Sequence, residues 1–143
     1  MASALTSAQA SAQASVQAAS PKQKDVETFS MDGNVQGWFE TTVFLATGQT
    51  AMIAADGYLA PAGSPMLLMS PTGHDFEVAV SPAPLPGGNL YSLVAKAGGR
   101  VHYVGFSGEV TAERDTWLNV AVNDHCSQRY EGRWQLTVRI KRR

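Results

Sequence analysis

The chain has 143 residues, of which 44% are hydrophobic and 16% charged, with a formal net charge of -1. That length suits one domain with an appended arm and excludes two full domains. The composition is too apolar for a disordered chain, and it lacks the broad basic field of a nucleic-acid binder.

Residues 2–20 contain only Ala, Ser, Gln, Leu, Thr and Val. Within them runs a four-residue repeat: Ser3-Ala4-Leu5-Thr6, Ser7-Ala8-Gln9-Ala10, Ser11-Ala12-Gln13-Ala14 and Ser15-Val16-Gln17-Ala18. A step of four drifts only about 40° around a helix, so the small residues form a shallow stripe suited to close packing. An Ala-rich helix of this length is marginal alone, and the same composition also reads as a flexible tail. The expectation is an arm that is helical when docked, against copies of itself in a homo-oligomer or against a larger protein assembly, and ended by Pro21. Residues 1–28 are therefore read as arm and linker, and residues 29–143 as the folded domain.

Beyond the arm the rhythm changes to short apolar or alternating runs separated by Gly, Pro, Asn and Asp. The expected strands are Trp38 to Ala46, Thr50 to Leu59, Met66 to Met69, Phe76 to Val80, Leu90 to Ala97, Val101 to Phe106, Trp117 to Val122 and Trp134 to Ile140. The last is the clearest, with Trp134, Leu136, Val138 and Ile140 on one face and Gln135, Thr137, Arg139 and Lys141 on the other. Those outward charges read as a solvated strand face, not a nucleic-acid patch. With no long helical period after Pro21, the fold class is all-β, an antiparallel β-sandwich of about eight strands. No apolar run reaches the roughly 18 residues of a membrane span. The N-terminus lacks the basic start and apolar stretch of a secretory signal, so synthesis in the cytoplasm is expected, with display on the surface of a released particle as a further expectation.

Chemistry-bearing motifs are scarce. There is no P-loop, no Gly-x-Ser-x-Gly elbow and no His-Glu-x-x-His. His74, His102 and His125 are scattered, and the single cysteine, Cys126, has no partner for an internal disulfide. A non-enzymatic protein is expected. The segment with most content runs from Val122 through Asn123, Asp124, His125 and Arg129 to Tyr130 and Trp134, where an apolar strand enters a polar loop and leaves it after Gly132. Such a loop gathers oxygens at a sandwich edge, although calcium takes six to eight of them and this loop offers few.

From about Val35 to Ile140 the order of motifs resembles the PA-I/LecA-like family of bacterial galactophilic lectins. The matching pieces are Gly48-Gln49-Thr50, Ile53-Ala54-Ala55-Asp56-Gly57-Tyr58, Ser70-Pro71-Thr72-Gly73, Pro86 to Gly98, Leu118 to Asp124, and Gly132 to Val138. The resemblance implies a galactose-binding-like jelly roll, binding of galactose-type glycans, and a calcium ion bridging protein and sugar. It places carbohydrate contacts at Asn123, Asp124, His125 and Tyr130, and keeps Asp124 as a calcium ligand. The other two side-chain ligand positions fall on Arg129 and Tyr130, neither a normal calcium ligand, so the site is degenerate. An Asp124–Arg129 salt bridge is expected in the ion's place. A backbone carbonyl ligand is expected near Phe44 or Leu45. Two functions follow as expectations: a lectin-like adhesion module displayed through residues 1–20, with no cofactor unless calcium is retained, or a structural subunit of a particle such as a virion or injection apparatus.

Overall fold

A computed structural model of the chain describes residues 25–32, 37–64, 66–75, 77–124 and 129–141. The repeat arm of residues 1–20, Phe76, His125, Cys126 and the terminal Arg142 and Arg143 lie outside the described residues.

Eight strands form two antiparallel sheets. They are β1 (Val26–Asp32), β2 (Phe39–Leu45), β3 (Thr50–Pro61), β4 (Leu93–Lys96), β5 (Val101–Tyr103), β6 (Ser107–Thr111), β7 (Thr116–Val122) and β8 (Tyr130–Ile140). One sheet has the order β1-β8-β3-β6 and the other β2-β7-β4-β5. Every connection except the β4–β5 hairpin crosses from one sheet to the other, which is the jelly-roll arrangement.

Alternation explains which faces meet. Trp134, Leu136 and Val138 of β8 point inward with Ala51, Ile53 and Leu59 of β3, and they meet Leu118 and Val120 of β7 and Leu93 and Ala95 of β4 in one apolar core. The longest ladder, β3 with β8, runs from Ala51 opposite Ile140 to Pro61 opposite Tyr130. Near its far end Gly57 and Gly132 both hold positive φ, at 100° and 90°. A Cβ on either would run into backbone of the opposite strand, the Arg133 carbonyl for Gly57 and the Tyr58 carbonyl for Gly132. Only glycine serves there, and it lets the two strands stay in close register up to Tyr130.

Six of the expected strands are present with shifted ends, and two are not. Met66–Met69 contributes only an isolated bridge, Leu59 opposite Met69, while Met66, Leu67 and Leu68 are exposed. The described part of Phe76–Val80 likewise contributes one bridge, Val78 opposite Asn89. Both apolar runs lie in the long crossover from β3 to β4. In their place stand β1, which starts within the segment read as linker, and β6.

Candidate functional site

The polar segment that follows β7 lies at the end of the β3–β8 ladder. The chain leaves β7 through Asn123 and Asp124 and returns at Tyr130, the residue opposite Pro61. The Ala62 amide donates to the Arg129 carbonyl at 2.9 Å, which ties the start of the 62–68 loop to the entry of β8.

Asp124 and Tyr130 meet directly, the Tyr130 hydroxyl donating to a carboxylate oxygen of Asp124. The Tyr130 ring is buried at 7% exposure, which leaves no open face for a sugar to stack on; its contribution is the hydroxyl. Its edge is met by Tyr91, with ring centroids 6.3 Å apart and planes at 79°. Asp124 itself is half-buried. A carboxylate held this way is an acceptor for hydroxyl donors.

Asn123 has a different part from the one expected of it. It is fully buried, its Oδ1 accepts from the Leu85 amide at 2.8 Å, and its Nδ2 donates to the carbonyls of Leu85 at 2.9 Å and Asn89 at 3.1 Å. Its backbone is engaged as well, the carbonyl accepting from the Tyr91 amide at 2.7 Å and the amide donating to the Ser92 carbonyl at 2.8 Å. With both amide protons and the amide oxygen committed, Asn123 holds the 85–92 segment and has no polar group left for a sugar. His125 lies outside the described residues. Arg129 is exposed, and its carbonyl is the part fixed by the loop.

The expectation of a backbone ligand near Phe44 or Leu45 is corrected by the register. Phe44 stands opposite Trp117 and Leu45 opposite Thr116, at the start of β7. Asp124 is beyond the other end of that strand, roughly 23 Å away at the usual rise per residue. The residue that stands opposite Tyr130 is Pro61, at the end of β3.

The described donors of this segment are few for the calcium ion that the resemblance implied. Calcium takes six to eight oxygens, commonly several carboxylates or amides. Among the described residues of this segment, one carboxylate is bound to a phenol, the neighbouring amide oxygen is bound to Leu85, and Arg129 is exposed; residues 125–128 lie outside the described residues. Among the described residues no group of three His, Cys, Asp or Glu is placed to hold a metal.

The other ionisable groups singled out in the sequence are not gathered at this point. His74 Nδ1 lies 3.8 Å from a Glu77 carboxylate oxygen, and His102 sits on β5 opposite Ala95. Burial, and next the nearby Asp75 carboxylate, raise the Tyr103 phenol above its ordinary value. Lys141 is exposed and paired with Glu109 at 3.6 Å, a surface ion pair of small consequence.

No family model and no curated protein matches the sequence. Eight chains of solved structures do match. One is described as the EclA N-terminal domain, a PllA-like lectin. It is 17% identical, with a TM-score of 0.60, and the match covers 82% of this chain and 98% of that one. At that identity the likeness shows the fold. The chain has a lectin-like β-sandwich, and no described helix is long and apolar enough to cross a membrane.

Proposed function

We propose that the chain is a non-enzymatic carbohydrate-binding module that takes galactose-type glycans at the Asp124–Tyr130 end of the sandwich. The observation that carries this reading is the half-buried Asp124, whose carboxylate receives the Tyr130 hydroxyl at one end of a lectin-like β-sandwich. A fixed carboxylate accepts hydrogen bonds from two neighbouring sugar hydroxyls, and the anchoring phenol keeps it from turning away. With few described donors for calcium, recognition in this reading runs through the carboxylate directly. The PA-I/LecA-like motif order supports galactose as the sugar class. The repeat of residues 1–20 is the proposed attachment to copies of the chain or to a larger assembly.

The test is a glycan panel followed by thermal unfolding with galactose or lactose, with and without chelator. A sugar that binds the folded chain raises its unfolding temperature. The expected result is a rise that chelator leaves unchanged and that Asp124→Asn abolishes. A flat response to every glycan defeats the reading, and a rise that disappears with chelator defeats its calcium-free form. Deleting residues 1–20 is expected to dissolve the assembly while leaving sugar binding intact, and an unchanged oligomeric state removes the attachment role.

A further inference from the structure

Tyr91 is the one non-glycine residue with positive φ among the described residues, at 66°. A side chain in that region is strained and persists only where the surroundings over-determine it. They do so here. The Tyr91 amide donates to the Asn123 carbonyl at 2.7 Å, and the residues on both sides are pinned too. Leu90 donates to Glu77 at 3.0 Å and accepts from His74 at 2.8 Å; Ser92 Oγ donates to the Asn89 carbonyl at 2.7 Å; and Leu93 donates to Pro71 at 2.8 Å.

The strained backbone has a definite effect on the side chain. It turns the Tyr91 ring so that it packs against both the main core and the small cluster of Ala79, Ala83 and Leu90, with its neighbour Tyr130 edge-on. Tyr130 in turn holds Asp124, and Asp124 follows the Asn123 that receives the Tyr91 amide. The contacts close a ring: Tyr91 to Tyr130, Tyr130 to Asp124, Asp124 through the chain to Asn123, and Asn123 back to Tyr91.

We propose that Tyr91 is a positioning residue for this site, its strained backbone setting the ring that keeps the Tyr130 hydroxyl aimed at the Asp124 carboxylate. The inference rests on the site reading above for its binding readout, but not for its geometry.

Three variants test it: Tyr91→Phe keeps the ring, Tyr91→Gly relieves the strain and removes the ring, and Tyr91→Asn tolerates the same φ without a ring. The first readout is the hydroxyl proton of Tyr130 in the NMR spectrum of tyrosine-labelled protein, downfield and slow to exchange when bonded to a carboxylate. The second is galactoside affinity, measured well below the unfolding temperature. The hydroxyl signal is expected in the wild-type chain and in Tyr91→Phe, and absent in Tyr91→Gly and Tyr91→Asn even where sheet amide shifts are unchanged. Affinity should fall about tenfold in those two variants. A signal retained in folded Tyr91→Gly or Tyr91→Asn, or missing from the wild-type chain, overturns the proposal. If the wild-type chain binds no galactoside, the functional reading fails while the hydroxyl signal still decides the positioning role.

Discussion

The β3–β8 ladder and the crossover of residues 62–92 lie side by side, yet they are held by different means. The ladder is regular backbone pairing from Ala51 to Pro61, backed by large side chains such as Trp134, Ile53 and Leu136. The crossover has two isolated bridges and a small cluster of Ala79, Ala83 and Leu90. Its remaining support comes from backbone hydrogen bonds of its turns, such as His74 to Leu90 and Ala79 to Gly88, and from the side chains of Asn123, Asn89, on the Thr72 carbonyl at 3.1 Å, and Ser92. Stability in the ladder is spread over many apolar contacts, whereas the crossover relies on hydrogen bonds of its turns and on the side-chain clamp of Asn123. The candidate site sits on the seam, with Tyr130 belonging to the ladder and Tyr91 to the crossover.

The largest effect should come from the ladder side. Trp134 is fully buried and its Nε1 donates to the Met69 carbonyl at 3.1 Å, so it also tacks the crossover to the sheet. Trp134→Ala is expected to destabilise the whole chain by about 3–5 kcal/mol, read as a shift of the denaturant midpoint with all probes moving together. Trp134→Phe refills most of the volume and removes the indole donor, while the Met69 carbonyl keeps the Leu59 amide at 3.0 Å, so its smaller loss reports the tack itself. A midpoint change within error for Trp134→Ala would mean that the ladder does not carry the core.

Asn123→Ala sharpens the contrast. It leaves the Leu85 amide without its acceptor, about 1–3 kcal/mol if that amide stays buried, while the Leu85 carbonyl keeps the Gly88 amide and the Asn89 carbonyl keeps Ser92 Oγ. The expected signature is local: faster hydrogen exchange at the amides of Leu85 and its neighbours, with protection along β3 and β8 unchanged. Equal loss of protection in both regions would show that ladder and crossover open as one unit, and the distinction drawn above would fall.

The two regions also differ in how well they could be read from the sequence. β8 alternates cleanly because one face is core and the other solvent, and β2, β3, β4, β5 and β7 carry enough apolar residues to be placed. β1 was missed because it is an edge strand with one fully buried side chain, Met31, among Glu27, Ser30 and Asp32. Its pairing with β8 creates it, not its own pattern. β6 was missed for the same reason, since Val110 is its only buried residue. In the crossover the local rule misled in the other direction, and consecutive apolar residues at Met66 to Leu68 suggested a strand where they are exposed on a loop. Asp124 and Tyr130 were legible because six positions separate them in one polar segment. The Asn123 clamp and the Tyr91 support were not, because their partners lie 34 and 38 residues from Asn123 in one case and across a strand crossover in the other.

A milder test concerns the outer face of the β2-β7-β4-β5 sheet. Lys96 Nζ lies 4.3 Å from the centre of the Trp38 ring, close to the β4–β7 pair Lys96–Asn119. Lys96→Met keeps the aliphatic stem and removes the charge, and about 0.5–1 kcal/mol should be lost. The matching double change with Trp38→Leu isolates the pair. A coupling energy of zero would leave the contact as incidental packing.

The smallest effect lies at the opposite end of the sandwich from the site, in the turn between β2 and β3. The Thr47 amide and hydroxyl both donate to Asp115 Oδ1, at 2.8 and 2.9 Å. The backbone hydrogen bond first, and the hydroxyl second, hold the Asp115 carboxyl below its ordinary value of 3.8, against a weaker opposing effect of burial. A folded-state value lower than the unfolded one means that the ionised form favours folding. The contribution is therefore fully present above the unfolded value and is lost as pH falls from there through the lowered folded value. Asp115→Asn keeps an acceptor for Thr47 but cannot titrate. Its unfolding temperature should fall less steeply than that of the wild-type chain between about pH 5 and pH 2, while the other carboxylates cancel in the difference. Parallel curves would show that the Thr47 bonds do not distinguish the charged form. Sugar binding at Asp124 should be indifferent to the change, because the two carboxylates are separated by the length of β7.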